Sequence, residues 1–153
     1  NTWRDILETN VVGLANITSA VLSHLPRLST FIQVGSAAAY RKSNTPGNAV
    51  YSASKSATLP ILDQFRSDLR DLGRQTRVST VSPGFVETPL TDKNDFDMPM
   101  KISAEQAARQ MLGGLEKGSR TIYFPLVFSL MIRLMGKLPD ALRVAICKRM
   151  KTQ

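Results

Sequence analysis

A phenol and an ammonium stand four residues apart in the segment Tyr51-Ser52-Ala53-Ser54-Lys55. On a helix this spacing puts both groups on one face, one turn apart. A free phenol ionises near pH ~10. A cation held beside it favours the phenolate and brings the group toward the range in which an acid/base catalyst works. Any tyrosine four residues before a lysine is, taken alone, more often a half-buried tyrosine and a solvated lysine on an ordinary helix. The pair gains its weight from what surrounds it.

The segment Thr30-Phe31-Ile32-Gln33-Val34-Gly35 reads as a short buried strand ending in glycine, and Ser36 follows it directly. Downstream, Arg77-Val78-Ser79-Thr80-Val81 reads as a second strand that runs into Pro83-Gly84-Phe85-Val86-Glu87-Thr88-Pro89. A strand, a helix carrying Tyr51 and Lys55, and a second strand make a βαβ unit. Ligands of such units lie beyond the carboxyl ends of the strands, where Ser36 and the Pro83-Gly84 loop both fall.

With these pieces in order, the chain resembles the C-terminal part of a short-chain dehydrogenase/reductase. The matching residues are Asn10 with Gly13 in the first helix, Ser36, Tyr51 to Lys55, and Pro83 to Thr88, over roughly residues 3 to 90. The resemblance implies an α/β fold, the C-terminal half of a Rossmann-like doubly wound parallel sheet, with residues 1–153 forming part of one oxidoreductase domain. It implies hydride exchange between a small-molecule alcohol or carbonyl and NAD or NADP. Tyr51 would be the proton donor and acceptor, Ser36 would hydrogen-bond the substrate oxygen, and Lys55 would also hold the nicotinamide ribose. Asn10 would complete a proton relay through a water behind Lys55. Pro83, Gly84, the Val86 backbone and the Thr88 hydroxyl would face the nicotinamide carboxamide, and the two long helices would pair with a second copy in a homodimer or homotetramer. No G-x-x-x-G-x-G turn for a cofactor pyrophosphate occurs among the nine glycines. Together with the absence of an initial methionine, this leads to the expectation that a preceding half supplies that turn. The selector between NAD and NADP would lie there as well.

Composition excludes several other classes. The 42% hydrophobic and 21% charged residues are those of an ordinary globular domain. The excess of 20 Lys+Arg over 12 Asp+Glu gives a net charge of +8. Aromatic residues do not alternate with the basic ones as stacking platforms for bases would, so no nucleic-acid partner is expected. Much of the charge falls in Arg133, Lys137, Arg143, Lys148, Arg149 and Lys151. Residues 125–153 thus read as basic amphipathic helices, and an anionic membrane surface is a second reading beside catalysis. A fold-sharing protein that binds without catalysing is a third, disfavoured by the presence of Asn10, Ser36, Tyr51 and Lys55 together. Cys147 is the only cysteine, so no internal disulfide can form, and a cytoplasmic location, with or without membrane association, is expected. No metal site is expected, and His24, at a helix end before Pro26, is given no catalytic role.

The remaining expectations are local. Thr2-Trp3-Arg4-Asp5 has the form of a capping box, and Trp3, Ile6, Leu7, Leu14, Ile17, Val21 and Leu25 recur at helical spacing, predicting one helix over about residues 3–24. Asn10 falls in that stripe, where a carboxamide must find hydrogen bonds or cost about 1–3 kcal/mol. Arg41 to Gly47 is a polar loop at the rim of the site. The helix of Tyr51 should run to Gly73 with Pro60 inside it, and its small residues Ser52, Ala53, Ser54, Ser56 and Ala57 keep the first turn slim. Leu90 to Met100 reads as a mobile loop, and the resemblance implies that this region covers the substrate. A helix from Ser103 to about Lys117 should end at Gly118, a last strand should occupy Thr121 to Phe124, and two helices separated by Pro139 should follow Pro125. The first of these, apolar on most sides, must bury itself against something.

Overall fold

The computed structural model describes residues 2–22, 24–25, 29–40, 49–89, 91–93 and 98–151, with residue 93 and the last five by backbone only. Three parallel strands form one sheet: β1 (Thr30–Val34), β2 (Arg77–Pro83) and β3 (Thr121–Phe124), in the order β1-β2-β3. The helix α3 (Ala49–Asp71) connects β1 to β2, and the helix α4 (Ala104–Glu116) precedes β3. The pairing places Val34 beside Val81 and Ser82 beside Tyr123. A parallel sheet of this kind needs cover on both faces.

Alternation along β2 builds two cores. Val78 packs with Leu62, Phe65 and Leu69 of α3, while Val81 packs with Ala107 of α4 and with Ile122 and Phe124 of β3. Leu62, Leu69 and Val81 are almost wholly removed from water, and each such side chain stabilises the fold by about 1.5–3 kcal/mol. Phe31 and Phe65 meet edge to face with ring centroids 5.0 Å apart. Arg66 ties α3 to the sheet, donating through Nε and Nη2 to the Val78 carbonyl and through Nη2 to Thr80 Oγ1.

Several local expectations hold. The helix α3 carries Pro60 inside it and closes at Gly73, whose φ of 64° suits a glycine. Ser103 and Gln106 form a reciprocal capping box at the start of α4, and Gly118, with φ 69°, follows its end. β3 has the expected bounds, and β2 runs two residues beyond the expected Val81, to Pro83.

The first helix differs from the single continuous one expected. It consists of α1 (Thr2–Leu7), a π-helical turn over Glu8–Val12 and α2 (Gly13–Val21). Thr2 is already inside the helix, so the capping residue would be Asn1, outside the described residues. Much of the apolar stripe is open to solvent: Trp3 is 66% and Ile17 53% exposed. The loop Arg41 to Gly47 lies outside the described residues, as do Leu90 and residues 94–97 of the expected covering loop. Thr91–Lys93 within that loop form a 3₁₀ turn.

After β3, α5 (Leu126–Lys137) and α6 (Asp140–Lys151) flank Pro139 as expected. Burial of α5 is confined to one side. Phe128 and Ser129 are covered, whereas Leu126, Val127, Leu130 and Leu134 are 46–65% exposed. With Met131, Met135 and Leu138, the residues Val127, Leu130 and Leu134 line an open apolar groove. No helix among the described residues is long and apolar enough to cross a membrane.

Candidate active site

Asn10 stands in the middle of the π turn, where Gly13 N–H bonds the carbonyl of Glu8, five residues back. Returning from five-residue to four-residue bonding skips one backbone carbonyl, and such turns recur at functional positions. The Asn10 carboxamide finds the partner that its place in an apolar stripe demands. Its Nδ2 donates to Ser54 Oγ at 3.0 Å, and Ser54 Oγ in turn donates to the Tyr51 carbonyl at 2.8 Å. The residue expected behind Lys55 is therefore fastened to the turn that carries Tyr51 and Lys55.

Ser36 leaves the carboxyl end of β1 and opens onto a 3₁₀ turn, Ala37–Tyr40. Its Oγ accepts the Ala38 N–H at 3.1 Å, and its carbonyl accepts the Ala39 N–H. The turn packs against α3, where Ser56 Oγ donates to the Ala39 carbonyl at 2.6 Å. Both Ser36 and Tyr51 are half-buried, accessible yet fixed.

The helical spacing brings Lys55 Nζ to 5.8 Å from the centroid of the Tyr51 ring. Burial pulls the Lys55 ammonium below its ordinary pKa of 10.5. None of the ion pairs among the described residues involves Lys55. A desolvated cation with no carboxylate paired to it among the described residues can serve hydroxyl groups of a ligand.

The loop after β2 has a structural reason for its glycine. A Cβ on Gly84 would stand 2.7 Å from Phe128 Cδ1 and 3.2 Å from Pro125 Cδ, so the glycine admits the α5 ring. Val86 forms a parallel bridge with Ile102 in which Glu87 N–H and the Phe85 carbonyl bond Ile102. Val86's own N–H and carbonyl therefore turn to the opposite side, where the carbonyl accepts Thr91 Oγ1 at 2.6 Å. The Thr88 hydroxyl is engaged with Thr91 Oγ1 at 3.2 Å and caps the Thr91 N–H, so Thr88 stabilises its own turn. The groups this loop could offer a ligand are the Val86 N–H and the remaining hydrogen-bond capacity of Thr88. Lys55 and this loop fit the group that the family pattern implies.

One cluster is not evident in the sequence. Tyr40, at the end of the Ser36 turn, meets Tyr123 edge to face, with Tyr123 Oη donating to Tyr40 Oη at 3.3 Å. Arg133 of α5 lies over Tyr123, 4.8 Å from its ring centroid, and 5.8 Å from that of Tyr40. Burial, reinforced by the Tyr123 hydroxyl, pushes the Tyr40 phenol up to about 12. His24, given no role, uses Nδ1 locally on the Ala20 carbonyl. No group of three metal-binding side chains occurs among the described residues.

Residues 1–98 match the profile of the short chain dehydrogenase family. An uncharacterized oxidoreductase of Myxococcus xanthus is 34% identical over 150 residues, covering 97% of this chain and 58% of its own length. A 3-oxoacyl-[acyl-carrier-protein] reductase of Thermotoga maritima is 30% identical over 117 residues, 75% of this chain and 44% of its own. Among solved structures, a short chain dehydrogenase from Burkholderia cenocepacia in complex with NADP superposes with a TM-score of 0.70 at 28% identity, covering 96% of this chain and 60% of that one. A short chain dehydrogenase/reductase from Burkholderia phymatum in complex with NAD gives 0.71 at 19% identity, over 87% of this chain and 57% of that one, a likeness of fold. The chain thus spans between 44% and 60% of the length of these relatives.

Proposed function

The chain belongs to the short chain dehydrogenase family, and on that premise we propose that it is the C-terminal part of an NAD(P)-dependent oxidoreductase interconverting an alcohol and a carbonyl. The observation that carries this reading is the convergence of Asn10, Tyr51 and Lys55 through Ser54, with Ser36 on the turn packed against the same helix. The solved relatives with NADP or NAD bound support a nicotinamide cofactor without selecting between the two. When bound, the nicotinamide supplies or accepts the hydride.

The chain's own residues handle the oxygen and the proton. Ser36 Oγ already accepts the Ala38 N–H, so its hydroxyl proton is free to donate to the substrate oxygen. Tyr51 gives its proton to that oxygen in reduction and takes it back in oxidation. Lys55 places positive charge beside the phenolate that remains and donates to the ribose hydroxyls. Asn10, held by Ser54, lines the route by which the proton is replaced. The Val86 N–H and Thr88 orient the carboxamide. Tyr51→Phe in the whole protein should lower turnover by the ~10²–10⁴-fold typical of lost acid/base catalysis. Turnover near that of the wild type would remove Tyr51 from the mechanism.

The pyrophosphate turn belongs to a preceding half in this reading, so residues 1–153 alone should not bind dinucleotide. Calorimetry showing submillimolar binding by this stretch would overturn that. The exposed Trp3, Leu7 and Ile17 of α1 and α2 support a homodimer or homotetramer, to be checked by light scattering on the whole protein. The exposed α5 stripe beside the basic sequence of α6 supports peripheral contact with anionic lipid. Sedimentation with anionic but not zwitterionic vesicles, lost at high salt, is the expected result.

A further inference from the structure

Lys55 is flanked by two serines whose hydroxyls reach different segments of the candidate site. Ser54 is fully buried, accepts Asn10 Nδ2 at 3.0 Å and donates to the Tyr51 carbonyl at 2.8 Å. Ser56 donates to the Ala39 carbonyl at 2.6 Å, inside the 3₁₀ turn that begins directly after Ser36. At about 100° per residue, the two serines point roughly 200° apart around α3, and Tyr51 and Lys55 fall on the arc between them. One hydroxyl therefore clasps the Asn10 turn from one side, and the other clasps the Ser36 turn from the opposite side. A helical serine otherwise bonds back to its own helix or faces water. Here each makes a contact distant in sequence, 44 residues away for Ser54 and 17 for Ser56.

We propose that Ser54 and Ser56 are positioning residues for the proton transfer, Ser54 setting the Asn10 turn against the catalytic helix and Ser56 setting the Ser36 turn against it. The proposal rests on the reading of Tyr51 as the proton-transfer group. Its physical basis is the steep dependence of such chemistry on placement, where a shift of about 1 Å costs on the order of 10²-fold. Each serine contributes one hydrogen bond to that placement, so its loss should lower kcat by roughly 3- to 10-fold.

The test is a set of mutant cycles in the whole enzyme. Ser54→Ala and Ser56→Ala should each lower kcat by that factor, with KM for the dinucleotide within about twofold of wild type. If each acts through its partner, Ser54→Ala adds no further loss to Asn10→Ala, and Ser56→Ala adds none to Ser36→Ala, while the two serine losses multiply with each other. A general loss of stability would not reproduce that pairwise pattern, and Ser56→Thr, which keeps the hydroxyl, should recover kcat. Should Ser54→Ala fail to fold, Ser54→Cys keeps the volume without a strong hydrogen bond and enters the same cycle. Wild-type kcat in both serine variants overturns the proposal, provided that Tyr51→Phe is inactive. Multiplying losses for Ser54 with Asn10 overturn it as well. An active Tyr51→Phe instead overturns the site reading beneath it.

Discussion

Gly113 and Gly114 are neighbours in α4 with opposite surroundings, so alanine at each should move stability in different directions. A Cβ on Gly113 would meet nothing within 4 Å. A Cβ on Gly114 would stand 2.7 Å from both Cγ1 and Cγ2 of Ile122 and 2.8 Å from its Cδ1. Ile122 is only 6% exposed and is held among Val81, Ala107 and Phe124, so its side chain has no free direction in which to yield. Both replacements gain about 0.5–1 kcal/mol from removing a glycine inside a helix. Only Gly114→Ala also incurs the overpacking cost, about 1–3 kcal/mol. The difference between the two variants cancels the helix gain and isolates the clash, which at ~2–4 °C per kcal/mol corresponds to roughly 2–12 °C in Tm. Thermal and urea unfolding of the two variants of the whole protein, side by side, measure it. Equal stability of the two would refute the close approach of α4 to β3 on which the second core depends.

Two further outcomes follow from the charged and phenolic groups of the site. Burial lowers the Lys55 pKa, so the folded chain carries a penalty at neutral pH that fades as pH rises through that lowered value toward 10.5. Lys55→Met should therefore leave Tm at pH 7 unchanged or raised while weakening dinucleotide binding, and a lowered Tm with intact affinity would contradict both statements. Tyr40, pushed up to about 12, is favoured in its neutral form, so its contribution to stability is present below about pH 10 and is lost as pH rises from there toward 12. Ultraviolet titration should show a late-ionising phenol, a step absent from Tyr40→Phe. Absence of a late-ionising step removed by Tyr40→Phe would refute the burial of Tyr40 against Tyr123.

The sequence by itself determined the elements whose causes are local. The apolar runs of β1 and β3, the Ser103 and Gln106 reciprocity, the glycines that close α3 and α4 and the four-residue spacing of Tyr51 and Lys55 all depend on residues within a few positions of one another. They could be read before any fold was known, and the order of the motifs was enough to indicate the family. What only the tertiary structure decided lies in contacts between distant residues. The bond from Asn10 to Ser54 spans 44 residues, that from Ser56 to Ala39 spans 17, and the Tyr40 and Tyr123 pair spans 83. The slim turn beside Lys55 could be predicted from its small side chains, but not which of their hydroxyls would hold which segment. The π turn at Asn10 and the one-sided burial of α5 were hidden for the same reason. A helical period shows which residues share a face, whereas the register of bonding and the neighbour each face meets are set by how the helices dock on the sheet.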